Sequence, residues 1–490
     1  MNTPVRRIAI AVMAMILLLM ANLTYVQVIK AGDYRTDQRN QRVLLTEYAR
    51  KRGQISAEGQ VLASSVETND RLRYQRQYPD GPVYAPLTGY YSVTYGASGI
   101  ERAADSLLNG SDDRLFGRRL SDLITGRDPS GGNVVLTIDP DVQQTAYDQL
   151  QSKGYTGSVV ALRPQTGEIL AMASTPSFDP NPLASHNFDE QKTAWDRLKV
   201  AEPPVLTNRA ISETYPPGST FKLIDTAAAL SSGQYTPDSQ LTAAPTITLQ
   251  DTVTPLENYN GNACGTSPTA SLRDALQRSC NTAFAQLAGE LGEQPIRDQA
   301  EAFGIGAADL SVPIPVAPST IGEIEDTAAL QQSSIGQRDV AVTPLQNAMV
   351  VAAIANRGQL MEPYLIKEIQ SQELDTVETT EPDRLDRAVD PGVARTLTEL
   401  MVNNENSYQD DKINGVQIAG KTGTAEHGST PKTTPPHVWY VAFAPADDPQ
   451  VAVAVLVESG GDRSNLAATG GRVAAPIGRA VIRAALGQAR

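Results

Sequence analysis

No charged residue lies between Arg7 and Lys30. The stretch IAIAVMAMILLLMANLTYVQVI is interrupted only by the polar residues Asn22, Thr24 and Gln27. As a helix rising ~1.5 Å per residue it reaches about 30 Å, one hydrocarbon thickness. Arg6 and Arg7 precede it, so the N-terminus is expected in the cytoplasm and everything from residue 31 onward outside. Neither a small-x-small cleavage site nor a lipobox cysteine follows the apolar run. The segment therefore reads as an uncleaved signal anchor in the plasma membrane rather than a removed leader. Nothing later in the chain is long and apolar enough for a second span.

An outside location bears on the two cysteines, Cys264 and Cys280. It permits a disulfide closing a loop of about 15 residues, worth ~3 kcal/mol in the chain-entropy model, with two free thiols as the alternative. A metal site is not expected: none of His186, His427 and His437 has ligand spacing to the cysteines. The 490 residues suffice for two or three domains. With 41 Lys+Arg against 55 Asp+Glu, the net charge of −14 argues against nucleic acid as a partner.

Residues 31–130 are polar, with two patterned stretches. RGQISAEGQVLA (52–63) predicts two strands about a Gly-containing turn, and GASGIERAADSLLNG (96–110) a Gly turn entering a short helix. SGGN (130–133) reads as a hinge-like break. From Asn133 a strand leads through Asp139-Pro140 into a helix, and 157–174 predicts a hairpin turning at Pro164–Gly167. Roughly 220–360 is helical. Residues 368–391 read as an acidic, irregular, solvated excursion. Strands return at 414–426, 437–445 and 451–459, and a helix from about Gly470 to Leu486 closes the chain. Strands at both ends with helices between predict an α+β domain: one antiparallel sheet with a helical insertion.

Three short motifs fall at element boundaries. In YPPGSTFKLIDTAAAL (215–230), Ser219 opens an apolar helix and Lys222 shares its face three residues on. A hydroxyl beside an amine there is a possible nucleophile with its base, although a capping serine with a solvated lysine has the same pattern. Ser279-Cys280-Asn281 sits on a turn between two predicted helices, a setting rich in both residue types. Lys421-Thr422-Gly423-Thr424 lies on a predicted strand, where a lone lysine often protects a sheet edge. Each is weak alone. In the order S-x-x-K, S-x-N, K-T-G they form the constellation of penicillin-binding proteins and class A β-lactamases.

The chain thus resembles the penicillin-binding proteins, in particular the membrane-anchored class B transpeptidases, and most of all the small penicillin-binding protein A type. RGQISAEGQVLA resembles the class B N-terminal signature. GASGIE, LRPQTGEILAMAS, YPPGSTFK and IGQRDVAVTPLQNAMVVAAIANRG (335–358) resemble family blocks. Ser56 and Ala57 depart from the usual Asp-rich turn, and Arg338 stands where the family often has Gly.

The resemblance implies a penicillin-binding/β-lactamase-like transpeptidase fold. Residues 1–30 would form the cytoplasmic tip and anchor, 31–130 a class B pedestal with a dimerisation-like module, and 131–490 the transpeptidase domain. It also implies roles. Ser219 would be acylated by D-Ala-D-Ala stem peptides or β-lactams. Lys222, its pKa lowered by burial beside Lys421, would take the proton. Ser279 would relay it to the leaving amine, and Asn281 would contact the acyl side chain and Lys222. Lys421, Thr422, Gly423 and Thr424 would form the strand edge that holds the terminal carboxylate. The backbone N–H groups of Ser219 and Thr424 would form an oxyanion hole. A Cys264–Cys280 bridge would pin the Ser279 turn, and no cofactor is expected.

A D,D-carboxypeptidase, a β-lactamase and a non-catalytic division scaffold or penicillin sensor are the rival readings. Against β-lactamase, no added carboxylate can be assigned to activate a water; Glu426 reads as structural. Against sensor and scaffold, only about seven residues precede the anchor and both Ser219 and Lys222 are present. The 31–130 region is too short for a glycosyltransferase. A separate membrane polymerase, by resemblance of the SEDS family, would supply the glycan at elongation or division.

Overall fold

The structure is a computed structural model that describes residues 3–30, 48–115, 130–408, 413–430, 433–461 and 466–488. Helix α1 (Thr3–Thr24) runs on through a π turn to Ile29 and buries no side chain. Among the described residues it is the one helix long and apolar enough to cross a membrane.

The N-terminal module is built on a sheet. Strands β1 (Ile55–Ala57) and β2 (Gln60–Glu67) form the hairpin predicted at 52–63, turning through Glu58 (φ 44°) and Gly59 (φ 85°). Strand β3 (Tyr74–Gln77) pairs with β2, and β4 (Asn133–Leu136) runs parallel to β1. Behind the sheet, Arg52 and Arg76 each donate from Nε to the Glu101 carboxylate at 2.6 Å, all three being buried. The two patterned stretches of the module are therefore held together by one anion between two cations.

SGGN is not a hinge. Gly131 N donates to Lys51 O (3.0 Å) and Gly132 N to Leu107 O (2.9 Å), and a Cβ at Gly131 would lie 1.7 Å from Leu108 O. The glycines are there because backbones pack directly on one another.

Helix α2 (Pro140–Gln151) is capped by the Asp139 carboxylate, which accepts from Asp141 N and Val142 N. The hairpin β5 (Gly157–Leu162) and β6 (Ile169–Thr175) follows. The helical region contains α3 (Lys222–Ser231), α4 (Leu272–Arg278), α5 (Asn281–Leu291), α6 (Glu293–Ala302) and α7 (Pro344–Ala355). Every residue of α7 is buried, as its nearly continuous apolar sequence demands. Its two amides are satisfied: Gln346 donates to Phe303 O (2.8 Å) and Asn347 to Thr220 Oγ1 (3.1 Å).

Residues 368–391 are not irregular. Strands β7 (Ile366–Gln370) and β8 (Thr376–Thr379) pair with each other, and β7 pairs with β4, so the N-terminal sheet reads β8-β7-β4-β1-β2-β3. Strand β9 (Arg384–Arg387) pairs with Gln359–Met361. The side chains of β8 and β9 are all exposed; backbone pairing alone makes them strands, so the sequence shows no alternation. The boundary expected at 130/131 falls just before β4, beside a sheet that strands from both parts share.

Helix α8 (Pro391–Asn406) precedes strands β10 (Ala419–Ala425), β11 (His437–Ala444) and β12 (Val451–Val457), and α9 (Gly470–Ala485) ends the chain. The main sheet is antiparallel in the order β10-β11-β12-β5-β6. One face packs on α2 and α9, and the other on α7 and the helical region. This is the α+β arrangement predicted from strands at both ends. It leaves β10 as an edge strand beside the helical region.

Candidate active site

Ser219 lies in a 3-10 turn, Gly218–Thr220, and the α-helix begins at Lys222. The turn is pressed against the edge strand. Gly218 (φ 53°) donates its N–H to Gly336 O at 2.9 Å, and a Cβ on Gly218 would lie 2.5 Å from Thr424 O. The Trp439 indole N–H holds Pro216 O at 2.9 Å from within the sheet. The Pro-Pro-Gly sequence thus sets Ser219 between the start of α3 and strand β10. Its side chain is half-buried.

Lys222 is fully buried. Its Nζ donates to Ser279 O (2.8 Å) and Asn281 Oδ1 (2.8 Å), and Ser279 Oγ is 3.5 Å away. Lys421, also fully buried, donates to the same Ser279 Oγ at 2.9 Å and to Thr422 O at 2.9 Å. Ser279 takes a left-handed conformation (φ 60°, ψ 42°) that ends α4, and Cys280 is the residue immediately before α5. That tight corner directs the carbonyl and hydroxyl of Ser279 and the amide of Asn281 at one amine. A disulfide joins Cys280 to Cys264, and Asn281 Nδ2 donates to Glu257 O (3.0 Å). The structure therefore gathers Lys222, Ser279, Asn281 and Lys421 into one hydrogen-bonded group; Ser219 lies three residues before Lys222, in a turn packed against Thr424 of the strand that carries Thr422 and Gly423.

Burial and the nearby Lys421 amine hold Lys222 well below the ordinary lysine range, with Asp225 opposing them. Burial brings Lys421 down to about 7. A neutral Lys222 amine has two N–H donors and one lone pair. Its two short contacts are to carbonyl oxygens, which only accept, so the lone pair is left to receive a proton.

The sequence reading missed two residues. Asp225 is fully buried one turn below Lys222, and among the described residues neither of its carboxyl oxygens has a hydrogen-bond partner. Burial pushes its carboxyl well above the usual range, with Lys222 opposing. Its spacing from Lys222 was a visible signal. Tyr408, whose hydroxyl lies 2.7 Å from Thr422 Oγ1, left none. Arg338 has φ 60°, the region that favours glycine, and pairs with Glu325 at 2.9 Å.

A serine three residues before a buried lysine, with a second serine bonded between two buried lysines beside this sheet, marks a class. Residues 157–483 match the penicillin binding protein transpeptidase domain, and residues 52–134 the penicillin binding protein A dimerisation domain. The chain belongs to the class B penicillin-binding proteins. It is similar from end to end to peptidoglycan D,D-transpeptidase PbpA of Mycolicibacterium smegmatis, 58% identical over 490 residues and 99% of each chain. PbpA of Mycobacterium tuberculosis is 57% identical over the same length, again 99% of each chain. The structure of penicillin-binding protein A from M. tuberculosis as a ceftriaxone acyl-enzyme complex superposes with TM-score 0.88 at 57% identity, covering 90% of this chain and 100% of that one. The penicillin G acyl-enzyme complex of the same protein gives 0.86 at 57%, covering 89% and 100%.

Proposed function

We propose that this chain is a membrane-anchored peptidoglycan D,D-transpeptidase, acylated at Ser219 by D-Ala-D-Ala stem peptides and by β-lactams. The observation that carries the reading is the Ser279 hydroxyl between two buried amines, Lys421 at 2.9 Å and Lys222 at 3.5 Å, with Ser219 three residues before Lys222. Ser219 Oγ attacks the carbonyl of the penultimate D-Ala, and its proton passes to the Lys222 lone pair. The tetrahedral oxyanion is received by the backbone N–H groups of Ser219 and Thr424. On collapse the C–N bond breaks, and the proton reaches the departing D-Ala amine through Ser279. The acyl-enzyme is then attacked by an acceptor amine, which forms the cross-link and restores Ser219. Lys421, Thr422 and Thr424 hold the terminal carboxylate, and the Cys264–Cys280 bridge steadies the Ser279 corner.

Arg6 and Arg7 before α1 support a cytoplasmic N-terminus with the catalytic domain outside. In this reading residues 1–30 anchor the protein, 31–130 form the pedestal, and 131–490 carry the chemistry. Glycan strands come from a separate membrane polymerase of the SEDS family, working with division or elongation proteins.

The test is intact mass spectrometry of the full chain in detergent after adding benzylpenicillin, with Ser219→Ala alongside. A persistent one-to-one adduct, absent in the variant, is expected. Rapid drug turnover without an adduct would point instead to a β-lactamase, and no reaction at all to a scaffold.

A further inference from the structure

The carboxylate end of the cleft contains a group from outside the three motifs. Tyr408, just beyond α8, places its hydroxyl 2.7 Å from Thr422 Oγ1. The ring is held from several sides. Tyr408 N donates to Glu405 O at 3.0 Å, and the Arg479 guanidinium sits 6.0 Å over the ring. Arg479 is itself buried and fixed by Glu405 at 2.7 Å. Gly471 leaves the space the ring needs, since a Cβ there would lie 2.9 Å from Tyr408 Cε1.

Resting on the transpeptidase reading, we infer that Tyr408 is a positioning residue for ligand carboxylate: its phenol fixes the Thr422 hydroxyl as a donor toward the anion. A threonine hydroxyl has one proton and two lone pairs, and a carboxylate only accepts. When Tyr408 donates into one Thr422 lone pair, the Thr422 proton is free to point at the carboxylate. When the pair is reversed, the Tyr408 proton is the spare donor at the same corner. Without the phenol, the Thr422 hydroxyl can rotate toward solvent or backbone, and binding must pay to orient it. Burial raises the Tyr408 phenol above its ordinary value, so it remains a donor across neutral pH. Helix α9 also begins at this corner, where a Cβ at Gly470 would lie 3.1 Å from Thr422 Cβ, and a helix start favours negative charge.

The experiment compares full-length wild type, Tyr408→Phe, Thr422→Val and the double variant in detergent. Acylation by benzylpenicillin and by its carboxylate methyl ester is followed, separating the binding constant Ks from the acylation rate k2. Tyr408→Phe keeps the ring under Arg479 and removes only the hydroxyl. For benzylpenicillin, k2/Ks is expected to fall about 5- to 10-fold, the loss of one hydrogen bond's worth of binding, through a weaker Ks with k2 unchanged. For the ester, wild type and Tyr408→Phe should agree, and in Thr422→Val the second substitution should add nothing. Equal losses for acid and ester, no loss for either, or full additivity with Thr422→Val would overturn the inference. Failure of the wild type to be acylated by either probe would instead sink the transpeptidase reading beneath it.

Discussion

Gly218 and Gly336 meet backbone to backbone. The Gly218 N–H donates to Gly336 O at 2.9 Å, and a Cβ on Gly336 would lie 2.1 Å from Gly218 O. Both have positive φ, 53° and 70°. The Ser219 turn is thus fixed from two sides, by Gly336, which admits no side chain against Gly218, and by Thr424 O, which a Cβ on Gly218 would meet at 2.5 Å.

Gly336→Ala should therefore push the Ser219 turn off β10 while leaving the sheet intact. Displacement by about 1 Å in a reacting group commonly costs around 100-fold. The benzylpenicillin acylation rate should fall by about that factor, whereas the circular dichroism spectrum should stay as in wild type. An unchanged rate would mean that the turn tolerates the shift.

The two lysines set opposite limbs of the pH profile. In the proposed mechanism Lys222 is the base once it loses its proton, so k2/Ks should rise with pH through a value well below the ordinary lysine range. In that mechanism Lys421 holds the carboxylate as a cation, so k2/Ks should fall again near about 7 as it deprotonates in the free enzyme. A bound carboxylate favours the charged form. The falling limb of k2, measured at saturating drug, should therefore lie at higher pH than that of k2/Ks. Coincident falling limbs would remove Lys421 from carboxylate binding.

Asp225 gives a stability prediction with a definite sign. Its folded pKa is raised by burial. As pH climbs past the ordinary aspartate range, the unfolded chain releases this proton and the folded chain keeps it. The folded state therefore loses relative stability with rising pH over that window. An asparagine has no such slope. The melting temperature of Asp225→Asn minus that of wild type should grow between about pH 4 and pH 7. A constant difference would show that Asp225 ionises in the fold.

Much of the fold was legible because burial leaves a mark in composition. VAVAVLV of β12 is buried throughout, and a run so apolar and β-branched has few alternatives to a central strand. The hairpins β1–β2 and β5–β6 announced themselves by their glycine turns. Strands β8 and β9 did not, because their exposed side chains carry no period. The pairing of β4 with β7 was hidden for another reason: Val134 meets Ile369, and short runs give no clue to a partner that distant. At the site, the three motifs named the residues that converge on Ser279. Asp225 stood one turn beyond Lys222 in the sequence, but only its burial sets it apart. Tyr408 acquires a role only from where α8 ends relative to β10, which no local pattern specifies.

The pedestal offers the last prediction. Glu101 is fully buried and receives Arg52, Arg76 and, at 3.2 Å, the Tyr78 hydroxyl. The two arginines hold its carboxyl below the usual range against the opposing effect of burial. Glu101→Ala leaves two buried guanidinium groups facing each other without their anion, while the Asp105 carboxylate still reaches only Arg52. Removing one partner of such a pair typically costs about 3–5 kcal/mol. Among the described residues the side-chain partners of Glu101 are Arg52, Arg76 and Tyr78, and none of the site residues is among them. In urea unfolding followed by fluorescence, the part of the transition reporting on the N-terminal sheet should shift to lower urea. Ser219 should still be acylated by benzylpenicillin at the wild-type rate under native conditions. A loss of acylation equal to the loss of pedestal stability would instead mean that the shared sheet through β4 and β7 couples the two parts into one cooperative unit.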